Sequence, residues 1–294
     1  MSNVLLVDGN NLFYRSFFSK EVYAQSKDPN YELWKYITFN SIVKLIKKDV
    51  SEVVLAFDGP NNWRKIIHPN YKFKRAKTRE KSEIDWERFF SIYHRYINEI
   101  ADYMPFKVIL QSRCEADDVI AVLAYELTSK DRKVTICSSD EDFHQLLNHK
   151  NLEIYSFKKY DIIKEEDVIP NFLEVRILNG QSKDCIYNVI TPLDWPEGKR
   201  KPAFGENKAK KIIDSGLEEW LKNSDLKVRK RFKENSILID FRNIPNSIKK
   251  IILKEYYSYV MPKPESHLCF FEKYNWKRYQ DDLHHIDLKL SKLY

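Results

Sequence analysis

Three apolar runs in the chain each lead onto an aspartate: Val4-Leu5-Leu6-Val7 into Asp8, 53–57 into Asp58, and 134–139 into Asp140. A fourth, 106–110, is followed closely by Cys114-Glu115-Ala116-Asp117-Asp118. If the runs are neighbours, six or more carboxylates meet at one edge. Carboxylates so placed raise one another's proton affinity and oppose folding unless a cation joins them. An all-oxygen set of this kind suits Mg²⁺ or Mn²⁺. More carboxylates than one Mg²⁺ can use point to two ions, and a pair about 3.5–4 Å apart stabilises both oxygens of an in-line phosphoryl displacement. The candidate ligands are Asp8, Asp58, Glu115, Asp117, Asp118, Asp140, Asp142 and Asp184. Each also has a plainer use. An aspartate ending a strand is commonly a turn residue or helix cap, and acids in a first helical turn complement the macrodipole. The metal reading rests on the set.

Such a set needs a scaffold that brings the ends of distant segments together. Short apolar runs without alternation, rich in β-branched residues, suit strands buried on both faces of a parallel sheet, whose ligands bind outside the carboxyl ends. Over the first 180 or so residues these runs alternate with helical patterns. Gly9-Asn10-Asn11 is a turn signal. Helices are expected over 33–48, over 86–103 with Phe89, Phe90, Tyr93, Ile97 and Ile100 on one face, from about Glu115, and briefly over 142–147; a further strand is expected over 152–155. The alternation predicts an α/β fold with a mainly parallel central sheet flanked by helices. Beyond Gly180 the pattern turns helical, with segments at 207–213, 218–221, 228–239, 246–259 and 276–293, and Pro192, Pro196 and Pro202 interrupting. The aromatic stretch 270–276 reads best as a core helix and its flank.

The net charge of +7 is unevenly placed. Between Pro60 and Lys81 lie eight basic residues, Arg64, Lys65, Lys72, Lys74, Arg75, Lys77, Arg79 and Lys81, against the single acid Glu80. A second cluster spans 199–211, and a third is Lys227-Val228-Arg229-Lys230-Arg231-Phe232-Lys233. One such run is ordinarily a solvated helix face. Three, beside an acidic edge, suggest a polyanion held against a metal site. The segment 61–82 is too polar for a core element and longer than a usual connection. Its Trp63, Tyr71 and Phe73, set among cations, suit single-stranded nucleic acid, with bases stacking and phosphates paired. Metal-dependent phosphodiester hydrolysis is the resulting expectation.

Other classes fall away. No apolar run reaches the roughly 18 residues of a spanning helix, so no membrane association is expected. The first residues enter a strand pattern with no basic leader, unlike a secretory signal. Cys114, Cys137, Cys185 and Cys269 are widely spaced, which suits reduced thiols better than zinc ligands or a disulfide frame. His284-His285 has no ligand partner nearby. A cytoplasmic protein is expected.

With these motifs in order, the chain resembles the 5′-nuclease superfamily of flap endonucleases and 5′→3′ exonuclease domains of bacterial DNA polymerases, most closely its small phage ribonuclease H members. The matching stretches are 5–10 (Leu-Leu-Val-Asp-Gly-Asn), 56–58, 71–75 (Tyr-Lys-Phe-Lys-Arg), 114–118, 138–143 and 179–184, with similar text at 235–241. The resemblance implies a PIN-like catalytic domain over 1–182 with a helical arch at about 61–90, and a helical domain over 183–294 containing a helix–two-turn–helix element. It implies a first metal site of Asp8, Asp58, Glu115, Asp117 and Asp140, a second leaning on Asp142 and Asp184, and a secondary role for Asp118. Lys72 and Arg75 would reach the scissile phosphate, with Arg64, Lys65, Lys74, Lys77 and Arg79 along the arch. Lys208, Lys210 and Lys211, in the helix that Phe204-Gly205 opens, would grip duplex phosphates, with K⁺ as an implied ion there. Two Mg²⁺, replaceable by Mn²⁺, are the implied cofactors. DNA and RNA–DNA duplexes with a 5′ single-stranded flap are the implied partners of a monomer, in the host cytoplasm for a phage protein. The aromatic stretch near the end would be where a single-strand-binding protein or sliding clamp docks.

One departure matters. The Gly-Asp usual in this family before the last carboxylate is Gly180-Gln181 here. A neutral amide replaces an acid, so a weaker second ion with retained activity is expected. The usual Ile-Pro-Gly after that motif is Ile186-Tyr187-Asn188. Two other readings stay open at this stage: a PIN-like ribonuclease of single-stranded RNA, which shares the sheet with fewer carboxylates, and a non-catalytic nucleic-acid clamp.

Overall fold

In a computed structural model the described residues are 2–19, 31–192, 195, 199, 201–275 and 283–294. In chain order the strands are β1 Asn3–Asp8, β2 Val50–Phe57, β3 Lys107–Leu110, β4 Lys133–Cys137, β5 Leu152–Ser156 and β6 Asp161–Ile162. The helices used below are α1 Gly9–Phe17, α2 Glu32–Leu45, α3 Arg64–Ile67, α4 Phe73–Glu80, α5 Trp86–Tyr103, α6 Ala116–Ser129, α7 Phe172–Asn179, α8 Glu206–Asp214, α9 Leu217–Asn223, α10 Leu226–Ile239, α11 Asn246–Ser258, α12 Ser266–Tyr274 and α13 Leu283–Ser291. The expected short helix after Asp140 is a 3₁₀ segment, Glu141–Leu146. Of the helix expected over 276–293, α13 is the described part; 276–282 lie outside the described residues.

Two compact units form. The first joins Met1–Pro60, Ile84–Ile163 and Ser247–Tyr294; the second joins Asn61–Glu83 and Lys164–Asn246. The basic segment after β2 thus packs with the later helices. It is not structureless: α3 and α4 occupy much of it.

The sheet of the first unit runs β3-β2-β1-β4-β5-β6, parallel except for the β5–β6 pair. Leu5, Val7, Val53, Leu55 and Phe57 enter one large core with α1, α2, α5, α12 and α13. Their alternates Val4, Leu6, Val54 and Ala56 are equally buried on the other face, where α6 crosses β1, β2 and β4. Burial on both faces is why these strands read as unbroken apolar runs. Edge-to-face aromatic pairs of Phe13 with Trp34, Phe57 and Tyr93 fix α1 and α5 against the sheet. Phe270 and Phe271 of α12 pack on Phe39, so the aromatic stretch near the end is core.

In the second unit Val175, Leu178, Val189, Ala209 and Ile212 form one core and Tyr71, Ile177, Ile186, Leu238 and Ile239 another.

Candidate active site

The strand order places a topological switch between β1 and β4. The chain leaves β1 toward β2 and leaves β4 toward β5, on the opposite side. Parallel sheets open a crevice at such a point. Register sets what stands there: Asp8 pairs with Ala56, so Asp58 is two residues further on, and Val7 pairs with Cys137, three residues before Asp140. β3 ends level with Phe57 and leads through a short loop to Glu115 and α6.

Gly59 makes that loop possible. A Cβ there would lie 1.8 Å from the Gln111 carbonyl oxygen, so only glycine lets the two segments touch. Gly59 N–H donates to Cys114 O at 2.9 Å, and the Ala116 amide donates to Asp58 Oδ1 at 2.9 Å. Asp58 therefore caps α6 from a neighbouring strand.

Hydrogen bonds hold the other carboxylates. Asp8 Oδ1 accepts from the Asn11 amide at 2.9 Å and Oδ2 from the Ser138 hydroxyl at 2.7 Å. Asp140 Oδ1 accepts from the Asp142 amide, while the Asp140 amide donates to Ser138 Oγ. Glu115 and Asp118 form a capping box on α6, and Asp118 is fully buried. Asp117 lies in the first turn of the same helix. Burial pushes the Asp8 carboxyl up to about 7; its two hydrogen bonds oppose the rise, and the charges of Asp58 and Asp140 add to it. Asp58 and Asp140 are thus each within electrostatic reach of Asp8.

The donor chemistry fits a hard divalent cation: oxygen ligands and a buried carboxylate that keeps a proton near neutrality in place of a counter-ion. Yet among the described residues no three His, Cys, Asp or Glu side chains are gathered tightly enough to hold a metal ion. Asp8, Asp58 and Asp140 each accept a hydrogen bond from a backbone amide, and Asp8 also accepts one from the Ser138 hydroxyl.

In the second unit Arg75 Nη2 meets Asp184 Oδ1 at 2.7 Å, and the Lys72 amide donates to Asp184 O at 3.0 Å. Lys72 adopts a left-handed backbone (φ 58°), and its ammonium lies over the Tyr71 ring. Gln181 is buried, and its backbone pairs in both directions with Ile186, closing the turn that carries Asp184. The expected catalytic cation Arg75 and the expected ligand Asp184 thus neutralise each other. His68 bridges Glu234 Oε1 and Cys185 O, tying α3 to α10 and to that turn.

Several expected nucleic-acid contacts need correction. Arg64 is buried, and its Nε donates to Leu238 O at 2.9 Å, so it braces the unit rather than facing a polyanion. Trp63 and Tyr71 are buried as well, leaving Phe73 as the exposed aromatic of that segment. Arg231, in the third basic run, is 1 % exposed and is held by Thr191 O, Pro192 O and Glu234. Lys65, Lys74 and Arg79 are exposed, as are Lys208 and Lys211; Lys210 pairs with Glu206 at 2.7 Å. The Lys77 side chain lies outside the described residues. Lys201 was not singled out by the sequence. It contacts Ser182 Oγ and covers the Tyr187 ring, and burial together with nearby Lys74 lowers its proton affinity. All four cysteines are free thiols.

Two families cover most of the chain. The 5′-3′ exonuclease N-terminal resolvase-like domain matches residues 3–173, and the T4 RNase H C-terminal domain matches 165–286. The chain belongs to the 5′-3′ exonuclease family of nuclease enzymes. Ribonuclease H of Enterobacteria phage T4 is 32% identical over 256 residues, covering 83% of each chain. Thermostable DNA polymerase I of Thermus aquaticus is 27% identical over 236 residues, 76% of this chain but 25% of the polymerase. The fold is shared with zinc-bound T5 5′-exonuclease (TM-score 0.64, 18% identity, 87% of this chain and 99% of the other). It is shared too with a complex of bacteriophage T5 flap endonuclease with DNA and metal ions (TM-score 0.61, 19% identity, 87% and 100%). This confirms the expected PIN-like sheet. Among the described residues no helix is long and apolar enough to cross a membrane.

Proposed function

We propose that the chain is a Mg²⁺-dependent 5′ nuclease that hydrolyses phosphodiesters at 5′ ends and flaps of duplex DNA and RNA–DNA hybrids, as in removal of RNA primers during replication. The observation that carries this reading is the parallel register that brings Asp8, Asp58 and Asp140 to the same end of the sheet at its switch point. When bound, Mg²⁺ would supply an activated water and neutralise charge on the phosphate. Asp8, Asp58 and Asp140, with Glu115 and Asp117, would hold it, and Asp142 would serve a second ion. Asp118 and the amide-bonded oxygens of the others keep the edge in shape. In the second unit, Lys72, Lys74, Lys65, Arg79, Lys208 and Lys211 would hold the polyanion without regard to sequence. We take the Arg75–Asp184 pair to part when a phosphate engages Arg75. A K⁺ ion near Gly205, a monomeric state, a host-cytoplasmic setting and docking of a single-strand-binding protein or sliding clamp belong to the same reading.

The test is to incubate the protein with a 5′-flapped duplex, a gapped RNA–DNA hybrid and a single-stranded RNA, with Mg²⁺ and with EDTA. Metal-dependent cleavage of the first two is expected. Cleavage of single-stranded RNA alone would favour a PIN-like ribonuclease, and binding without cleavage a clamp. Asp117→Asn should abolish cleavage with little change in shape; full activity would remove the metal assignment.

A further inference from the structure

Two adjacent amide residues, Asn10 and Asn11, closely follow Asp8. Gly9 starts α1, and a Cβ there would lie 2.3 Å from the Phe57 ring, so its absence lets the first turn of α1 sit directly on the end of β2. This fixes Asn10 and Asn11 beside the strand ends. Asn10 Oδ1 accepts from the Tyr93 hydroxyl at 2.5 Å, and burial together with Tyr14, Asp58 and Asp8 keeps that phenol protonated. Asn11 Oδ1 accepts from the Ser139 amide at 3.3 Å. A backbone N–H can only donate, so the Asn11 amide has one orientation, its oxygen toward β4. Each amide oxygen is thus spoken for. Among the described residues no protein group accepts from either Nδ2, and neither side chain is fully buried. One amide is pinned by Tyr93 of α5 and the other by Ser139, next to Asp140 in sequence.

We propose that Asn10 and Asn11 are substrate-binding residues whose side-chain N–H groups donate to non-bridging oxygens of the phosphodiester presented at the carboxylate edge. This rests on the nuclease reading and adds to it a recognition element of neutral donors. An anionic edge repels a phosphate, and carboxylates have no hydrogen to give. Lysine or arginine there would compete with metal for the aspartates. A pinned amide donates without adding charge, and its orientation needs no reorganisation on binding. Tyr93 is a positioning residue that acts through Asn10.

The experiment measures affinity for a 5′-flapped duplex by fluorescence anisotropy in Ca²⁺, without turnover, and KM and kcat in Mg²⁺. It compares wild type, Asn10→Ala, Asn11→Ala and Tyr93→Phe. A lost hydrogen bond to a charged oxygen weakens binding by about tenfold to a hundredfold, so each alanine variant should raise Kd and KM by that factor. The midpoint of thermal unfolding should move little. Because neutral donors release no counter-ions, the salt dependence of binding should keep the wild-type slope, whereas Lys208→Ala should flatten it. Tyr93→Phe should raise KM by a smaller factor while kcat holds. Wild-type Kd in both alanine variants, or a changed salt slope, would overturn the proposal. So would a loss of affinity that merely tracks a large fall in thermal midpoint. If wild type cleaves no nucleic acid, the nuclease reading itself fails; if wild type cleaves and the variants match it, this inference alone fails.

Discussion

Asp8 should cost the metal-free protein stability at neutral pH, and removing its charge should restore it. The carboxyl keeps its proton to about 7 in the fold, against 3.8 for the free side chain. At 1.36 kcal/mol per pH unit, holding it ionised costs about 4 kcal/mol above pH 7. The folded state therefore binds a proton that the unfolded chain has already lost, and stability falls as pH rises from about 4 through 7. Asp8→Asn cannot ionise. Its single oxygen can still accept from the Asn11 amide, while the bond with Ser138 must reverse, a cost of about 1 kcal/mol. Urea unfolding in EDTA at pH 5 and pH 8 should thus show wild type losing about 2–4 kcal/mol relative to Asp8→Asn between the two pH values. Mg²⁺ at pH 8 should stabilise wild type and leave the variant nearly unmoved. Parallel pH dependences, or equal stabilisation by Mg²⁺, would refute the argument that Asp8 is strained by its neighbours and relieved by a cation.

Three further outcomes follow from single contacts. Arg75→Ala leaves Asp184 buried without its guanidinium partner, and because Arg75 is itself 42% exposed the expected loss is about 1–2 kcal/mol; a double-mutant cycle with Asp184→Asn that shows no coupling would contradict it. Gly59→Ala forces a methyl into the Gln111 carbonyl and should destabilise by about 3 kcal/mol or more, measured by thermal or urea unfolding, with an unchanged midpoint counting against the close approach. Gln181→Asp restores the acid that the resemblance expects beside Asp184, itself an expected second-ion ligand, and should lower the Mg²⁺ concentration needed for half-maximal cleavage. An unchanged metal titration would count against a weakened second ion.

The sequence shows the strands clearly because each of β1, β2 and β4 is buried on both faces, and such strands read as runs rather than alternations. The strand ends were legible for the same reason, since a charged residue closes each run. What could not be read is the fate of residues whose partners lie far along the chain. Arg64 looks like its exposed neighbours Lys65 and Lys74, but its carbonyl partner is at Leu238. Trp63 and Tyr71 alternate with cations as stacking residues would, yet they bury into the second unit. Arg231 likewise is indistinguishable by composition from Lys230 and Lys233. Tyr93 is plain as a core residue of α5 from helical spacing; its hydroxyl's hold on Asn10, a residue 83 positions earlier, is not.

On the proposed reading the carboxylates that cap helix starts are also the metal ligands, and the two jobs compete. Asp58 caps α6, Asp140 caps the 3₁₀ turn after β4, and Glu115 with Asp118 closes a capping box. Caps of this kind contribute about 0.5–2 kcal/mol each, enough to offset much of the repulsion that gathering the same charges creates. The fold can therefore form before any cation arrives, with the oxygens parked on backbone donors. A cation that draws those oxygens together must loosen some of the caps, so part of its binding free energy is spent on the helix starts. Addition of Mg²⁺ should accordingly slow amide exchange through the body of α6 while speeding it, or failing to slow it, in the first turn. Uniform protection of α6 on Mg²⁺ addition, in hydrogen-exchange measurements resolved by residue, would show that the caps and the ligands do not compete.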